Sequence, residues 1–274
     1  MLFQAAFAQD QGTRAEQQDD ARIHPADRAG SAELMGVLAD GMGGMKDGAM
    51  AGRVAVTAFR DAFVLYAPRK GTVQTLQQAM HAANDAVLVF ARGHKVASTL
   101  VAASVTGNHL HWIAVGDSRA YLIRAGQAYR LTVDHTFQED QWWALRDAPN
   151  QLTLAGNAPP NPTAVSSFIG FPGGLSRFDA SLAPVTLLPG DTVLLASDGM
   201  YNAIPESALP RYFQGDDVRV GCQQLVRAVM DMRVPDQDNV TVVAIKALGH
   251  GDEGHIQAQQ ELMGTGPSRS SLAR

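Results

Sequence analysis

Cysteine is nearly absent from the sequence, which has a single thiol, Cys222, among 274 residues. One cysteine excludes an internal disulfide framework and a metal cluster held by several thiolates of the same chain, and it favours a reducing compartment. No uncharged apolar run approaches the ~18 residues of a transmembrane helix, and residues 1–10 lack the basic start and apolar stretch of a secretory signal. We therefore expect a cytoplasmic protein without a membrane partner.

Positive charge is also scarce. The 22 lysines and arginines are outnumbered by 27 aspartates and glutamates, which gives a formal net charge of −5. A surface for nucleic acid needs concentrated positive charge, so this balance argues against nucleic acid as the main partner. With 46% hydrophobic and 18% charged residues, the composition is that of a globular domain with a sizeable core.

Hydrophobic periodicity predicts a mixture of strands and helices. An apolar run at residues 33–39 predicts a strand that ends in a tight loop at Asp40-Gly41. Four short β-rich runs, at residues 99–105, 109–115, 119–124 and 128–132, predict an antiparallel meander. Further strands are predicted at 179–188, 192–196 and 240–247, and helices at 49–66, 73–90, 139–145 and 217–233.

The domain organisation follows from composition along the chain. Residues 1–248 contain no repeat and no break in composition, so one domain is preferred over two. After Leu248 the sequence is polar and rich in glycine and serine, with too few apolar residues to join a core. We expect a single domain over 1–248 and a disordered polar tail over 249–274.

Short carboxylates lie at the edges of several predicted strands. Asp40-Gly41, Asp198-Gly199 and Asp238-Asn239 each follow or precede an apolar run, and Arg14 and Asp19 come before the first of them. Aspartates converging in one place repel each other unless a hard divalent cation such as Mg²⁺ or Mn²⁺ neutralises them. For any one pair alone, simple turn formation is the favoured explanation.

The order and strand context of several motifs resemble the metal-dependent serine/threonine protein phosphatases of type 2C, particularly the compact bacterial members. The resemblance runs from about residue 10 to residue 247. The matching motifs are RAEQQD (14–19), GVLADGMGG (36–44), ASTLVA (97–102), VGDSRAY (115–121), LTVDHT (131–136), IG (169–170), PGD leading to SDG (189–199) and DNVT (238–241).

This resemblance implies an α+β fold, a four-layer α-β-β-α sandwich of two antiparallel sheets flanked by helices. It also implies a phosphatase that hydrolyses phosphoserine and phosphothreonine on proteins by attack of a water or hydroxide that bridges two Mg²⁺ or Mn²⁺ ions. Its partners would be phosphorylated proteins and an opposing serine/threonine kinase, and we expect a monomer.

The family resemblance also assigns roles to individual residues. Asp40 would bridge the two core ions, and Arg14 would bind the substrate phosphate through its planar fork of donors. These two are the expected catalytic residues. The expected metal ligands are Asp19, Asp40, the Gly41 carbonyl, Asp198 and Asp238, with Asp134 as a ligand of a third, weaker ion.

The sequence departs from the family pattern at several positions. Met42 stands where eukaryotic relatives carry a histidine that can act as a general acid, and Gln18 replaces a common glutamate, a change for which Asp20 would have to compensate. Gln18 and the divergent segment 136–167 leave open a weakly active or inactive relative that binds phosphoproteins as a regulatory module. A non-protein phosphoester substrate also stays open.

Four other features are expected to be structural or stay undecided. Asp117 should be a turn residue, and His109 and His111 surface residues. Cys222, in the middle of a helix, should be a small buried residue and not a nucleophile. The pair Trp142-Trp143 would either pack the flap or contact a phosphopeptide.

Overall fold

The computed structural model describes residues 1–24, 33–42, 47–67, 69–147, 161–171, 175 and 177–248, with only the helical backbone for residues 143–147. Their strands are β1 (Leu2–Asp10), β2 (Asp19–His24), β3 (Glu33–Met42), β4 (Ala97–Ser98), β5 (Leu100–Thr106), β6 (His109–Val115), β7 (Arg119–Arg124), β8 (Gln127–Arg130), β9 (Asp179–Ala180), β10 (Val185–Thr186), β11 (Thr192–Ala196) and β12 (Val240–Leu248). Their helices are α1 (Gly48–Tyr66), α2 (Thr72–Ala91), α3 (Phe137–Asp147), α4 (Asp198–Tyr201), a 3₁₀ helix (Glu206–Phe213) and α5 (Val218–Asp231).

The strands form two antiparallel sheets that pack face to face. Sheet one has the order β1-β12-β11-β7-β8, and sheet two has the order β10-β6-β5-β3-β2, with β4 beside β3 and β9 beside β6. Helices α1 and α2 cover the outer face of sheet two, and α5 covers the outer face of sheet one. The expected α+β fold of four layers is therefore confirmed.

Alternation along the strands separates the inner layer from the outer layers. In β3, Met35 and Val37 pack under α1 and α2, whereas Leu38 packs between the sheets. The layer between the sheets is apolar along most of its length and also contains Ala21, Val101, Val105, Ala120, Leu195, Val243 and Ile245.

The predicted loop at Asp40-Gly41 is wrong. Strand β3 continues through Asp40 to Met42, because Gly41 and Met42 pair with Ser98 and Ala97 of β4. Asp40 itself pairs with Asp19 of β2. The aspartate thus lies inside a hydrogen-bonded ladder, which fixes its backbone more firmly than a loop would.

The predicted single meander is also wrong. Strands β5 and β6 belong to sheet two, and β7 and β8 belong to sheet one, so the chain crosses between sheets over residues 116–118. Gly116 makes this crossing with a φ of +97°, and a Cβ atom there would lie 2.6 Å from the Thr99 side chain. Glycine permits both the backbone conformation and the close approach.

Three further elements differ from the sequence prediction. Strands β1 and β2 were not predicted, and residues 179–188 contain two short strands, β9 and β10, in place of one long strand.

None of the helices in the described ranges is long and apolar enough to cross a membrane. The expected tail at 249–274 lies outside the described residues.

Candidate active site

Polar side chains replace the apolar layer at one end of the sandwich. Asp19 and Asp40 face each other across the β2–β3 ladder and point between the sheets. Ser197, which directly follows β11, donates its hydroxyl to Asp19 Oδ2 over 2.8 Å and accepts the main-chain N–H of Thr241 over 3.0 Å. The Ser197 proton therefore points at Asp19, and the orientation of the carboxyl group is fixed from the opposite sheet.

Hydroxyl groups also hold the backbone of Asp40. The Asp40 N–H donates to Thr99 Oγ1 over 3.0 Å, and the Asp40 carbonyl accepts the Ser98 hydroxyl over 2.9 Å. Thr99 Oγ1 lies 2.7 Å from the Ser118 hydroxyl, so the chain of hydrogen bonds reaches the crossing between the sheets. Both the N–H group and the carbonyl group of Asp40 are thereby held in place.

Asp198 and Asp238 come from two loops of sheet one that touch backbone to backbone. A Cβ atom on Gly199 would lie 2.1 Å from the carbonyl oxygen of Asn239, so this contact requires glycine. Gln237 Nε2 donates to the Gly199 carbonyl over 2.9 Å and joins the same two loops. Asp198 directly precedes Gly199 and Asp238 directly precedes Asn239, so this contact holds the two aspartates close together.

Gly41 has a comparable close contact in sheet two. A Cβ atom on Gly41 would lie 2.0 Å from the carbonyl oxygen of Gly48 and 2.8 Å from that of Gln18. The Gly41 N–H donates to the Gln18 carbonyl over 3.2 Å. This predicted ligand is therefore packed between the start of α1 and the residue before Asp19.

Burial and mutual repulsion raise the pKa values of these carboxyl groups. Burial first, and then the nearby charge of Asp238, raises the pKa of Asp19 to about 6, against the action of the Ser197 and Thr241 hydroxyls. Burial raises the pKa of Asp198 to about 7, helped by the charges of Asp117 and Asp238. Burial and the charges of Asp19 and Asp198 raise the pKa of Asp40 well above its usual range. Such a cluster favours a divalent cation.

Two buried carboxylate oxygens in this cluster lack a hydrogen-bond partner within the described part of the chain, Asp19 Oδ1 and Asp198 Oδ1. Unpaired buried oxygens are costly, and a hard cation would satisfy them. No three His, Cys, Asp or Glu side chains of the described residues already converge on one point. Asp238 instead accepts a hydrogen bond of 2.6 Å from Arg14 Nη2.

Asp134 lies beside this cluster but already forms an ion pair with an arginine side chain. Arg119 donates to both of its carboxylate oxygens, through Nε over 3.0 Å and Nη2 over 2.6 Å, and Arg130 lies 3.5 Å away. Its role as a ligand of a third ion stays a prediction. Asp117 is a further carboxylate whose charge raises the pKa of both Asp40 and Asp198, which the prediction of a simple turn residue did not reveal.

The remaining sequence candidates are placed elsewhere. Asp20 lies on the opposite face of β2 from Asp19 and pairs with Arg22 at 2.6 Å, so it does not compensate for Gln18. Burial raises the pKa of the Cys222 thiol in α5 to about 12, which fits a structural residue. His111 Nδ1 lies 3.2 Å from the Ser181 hydroxyl.

The flap tryptophans stay undecided between packing and substrate contact. Trp142 on α3 is 54% exposed. The side chain of Trp143 lies outside the described residues.

Comparison with known proteins identifies the family of this chain. The family model of protein phosphatase 2C matches residues 11–228, which is more than half of the sequence. The chain belongs to the protein phosphatase 2C family.

The serine/threonine protein phosphatase PstP of Mycobacterium tuberculosis is 27% identical over 224 residues, which are 80% of this chain and 41% of that protein. The match thus spans less than half of the length of this relative.

Solved structures of family members have the same fold. The PPM Ser-Thr phosphatase MsPP from Mycobacterium smegmatis, in complex with cacodylate, is 26% identical with a TM-score of 0.70, covering 90% of this chain and 98% of that one. The catalytic domain of PstP in complex with two manganese ions has a TM-score of 0.68 at 24% identity, covering 90% and 99%.

Proposed function

We propose that this chain is a metal-dependent protein phosphatase that hydrolyses phosphoserine and phosphothreonine. One observation carries the proposal: carboxylates of elements from both sheets meet at one end of the sandwich, and two of their buried oxygens, Asp19 Oδ1 and Asp198 Oδ1, have no hydrogen-bond partner among the described residues. Family membership and the two manganese ions of the PstP catalytic domain support it.

The residues present fit two Mg²⁺ or Mn²⁺ ions. Asp40, whose pKa is raised by the charges of both Asp19 and Asp198, would contact both ions. Asp198 and Asp238 would complete one, and Asp19 with the Gly41 carbonyl would serve the other. When bound, the ions supply Lewis-acid activation of a water nucleophile and neutralise charge on the phosphate.

The protein side chains have their own tasks in this proposal. Arg14 is 56% exposed at the rim, where its fork of donors can bind two phosphate oxygens of a substrate on a protein surface. Ser197 keeps Asp19 in one orientation. Cys222 is buried in α5, away from the cluster, so no thiol of this chain forms a covalent phosphoenzyme.

Several finer points belong to the same proposal. The client is a phosphorylated protein with an opposing serine/threonine kinase, and the chain works as a cytoplasmic monomer whose catalytic domain comprises residues 1–248. A third, weaker ion would bind Asp134 only after Arg119 stopped donating to one of the two carboxylate oxygens of Asp134.

Hydrolysis of a phosphothreonine peptide, measured with Mn²⁺ and with a chelator, tests the proposal. We expect Mn²⁺-dependent turnover by the unaltered chain and by Asp231→Asn, an exposed control on α5, and a loss of at least about 100-fold for Asp198→Asn. Equal rates in all samples would refute a metal mechanism. Binding of the phosphopeptide without hydrolysis would favour the regulatory module, and turnover of an aryl phosphate alone would favour a non-protein substrate.

A further inference from the structure

A single tyrosine connects the loop of Asp198 with the crossing between the two sheets. Tyr201 is the last residue of α4, the short helix that Asp198 begins. Its hydroxyl donates to the main-chain carbonyl of Asp117 over 3.0 Å. Asp117 lies in the crossing at residues 116–118, so this one hydrogen bond joins two segments that are 84 residues apart in sequence.

The Tyr201 ring is itself fixed by an arginine. The guanidinium carbon of Arg119 lies 3.6 Å from the ring centroid, which is a close cation–π contact. The same guanidinium donates to both oxygens of Asp134, and these two side chains are only 18% and 10% exposed. Tyr201 is therefore held on one side by a buried ion pair and on the other by the Asp117 carbonyl.

The two segments joined in this way carry like charges. Asp117 and Asp198 border the same polar cleft of about 380 Å³, together with Arg119 and Tyr201. The charge of Asp117 is, after burial, the largest cause of the raised pKa of Asp198. Repulsion between the two carboxylates favours their separation. The hydrogen bond from the Tyr201 hydroxyl to the Asp117 carbonyl opposes this separation.

We propose that Tyr201 is a positioning residue, fixed by Arg119, that sets the distance between the Asp117 crossing and the Asp198 loop and thereby the affinity of the acidic cluster for divalent cations. This inference rests on the proposed function only in taking Asp198 as a metal ligand. Tyr201 contacts no substrate in this proposal, and its effect reaches the metal through the backbone.

The test compares Tyr201→Phe with the unaltered chain and with Tyr129→Phe, an exposed tyrosine on β8 that serves as a matched control. The dissociation constant for Mn²⁺ is measured by titration calorimetry on the full chain without substrate. Loss of one hydrogen bond should weaken Mn²⁺ binding by Tyr201→Phe about fivefold and leave Tyr129→Phe unchanged. Saturating Mn²⁺ should restore the kcat of Tyr201→Phe.

A second variant, Arg119→Lys, keeps the charge but loses the planar fork that holds the Tyr201 ring, and it should likewise weaken binding of the Mn²⁺ that Asp198 would hold. A Tyr201→Phe protein with a lower Tm and an unchanged Mn²⁺ dissociation constant would overturn the inference, since a purely stabilising residue behaves in this way. An equal shift in Tyr129→Phe would overturn it as well. If the unaltered chain binds no Mn²⁺, the proposed function and this inference both fail. If the unaltered chain binds Mn²⁺ and Tyr201→Phe binds it equally well, the inference alone fails.

Discussion

Arg14 Nη2 lies 2.6 Å from Asp238 Oδ2, so the side chain assigned to the phosphate and one assigned to the metal are partners in one ion pair. The arginine is 56% exposed and the aspartate 35% exposed, and pairs in such surroundings contribute only about 0–1 kcal/mol. A divalent cation at Asp238 can therefore displace the guanidinium, which then becomes available to the phosphate.

Replacing this arginine should separate the two roles. We expect Arg14→Gln to lower kcat/KM on a phosphothreonine peptide by about 10- to 100-fold, because a charged hydrogen-bond donor to the phosphate is lost. The same variant should bind Mn²⁺ about two- to fivefold more tightly, because a competing cation is removed from Asp238. Steady-state kinetics and calorimetry measure the two effects; weaker Mn²⁺ binding would contradict the competition.

The stability of the metal-free protein should fall as pH rises from about 4 to about 7. In the folded chain Asp19 keeps its proton up to a pKa of about 6 and Asp198 up to about 7, whereas the ordinary value is 3.8. The folded state binds more protons than the unfolded state in this window, so stability falls as pH rises, by on the order of 3 kcal/mol across the whole window for Asp19 alone. Denaturant unfolding in a chelator, measured at several pH values, checks the sign.

Mn²⁺ should reverse this dependence on pH. Metal binding needs ionised carboxylates, so the increase in Tm caused by Mn²⁺ should be larger at about pH 8 than at about pH 5. Asp198→Asn removes one of the carboxyl groups whose pKa is raised and should flatten the pH dependence of the metal-free protein. A slope of stability against pH that stays the same in this variant would show that Asp198 is not among the groups that cause it.

The contact between Gly199 and Asn239 should tolerate no side chain. In Gly199→Ala the added Cβ atom would lie 2.1 Å from the Asn239 carbonyl oxygen and push the loops of Asp198 and Asp238 apart. We expect a loss of about 1–3 kcal/mol in unfolding free energy and weaker Mn²⁺ binding. Gly71→Ala is the control, because no neighbouring atom lies within 4 Å of a Cβ at that position. Similar losses in both variants would refute the steric explanation.

The catalytic domain should be complete at the end of β12. A chain that ends at Leu248 should keep its Tm and its Mn²⁺-dependent turnover of a phosphothreonine peptide, because Leu248 still pairs with Leu2 in the β1–β12 ladder. Circular dichroism melting and kinetics on both lengths of chain measure this. A large loss of rate or stability would show that residues 249–274 contribute to the domain.

Elements with strong local periodicity could be predicted from the sequence. Strands β6, β7 and β11 have the predicted bounds, and α1, α2 and α5 differ from the predicted helices by a residue or two. Strand β1 could not be predicted in this way, because none of its residues is fully buried and Phe7, Gln9 and Asp10 are exposed. It is instead held by pairing with β12, at the far end of the described chain. Pairing of this kind leaves little local signal.

The site shows the same division between local and long-range information. Asp40, Asp198 and Asp238 are marked locally by the glycine or asparagine that follows each of them. The partners that orient the carboxylates are not marked, since Ser197 and Asp19 are 178 residues apart, and Arg14 and Asp238 are 224 residues apart. The crossing between sheets was missed for the same reason, and with it the proximity of Asp117 to Asp198.

The acidic cluster draws Asp19 and Asp40 from paired strands of sheet two, and Asp198 and Asp238 from loops that flank strands of sheet one, at one end of the apolar layer that separates the two sheets. The thickness of that layer therefore sets how far apart the two pairs of carboxylates stand. A larger or smaller side chain at a fully buried position such as Val101 or Leu195 changes the distance between the sheets as well as the packing. In this fold the hydrophobic core would determine the dimensions of the proposed metal site, so the size of core residues would be constrained by the proposed catalysis as well as by stability.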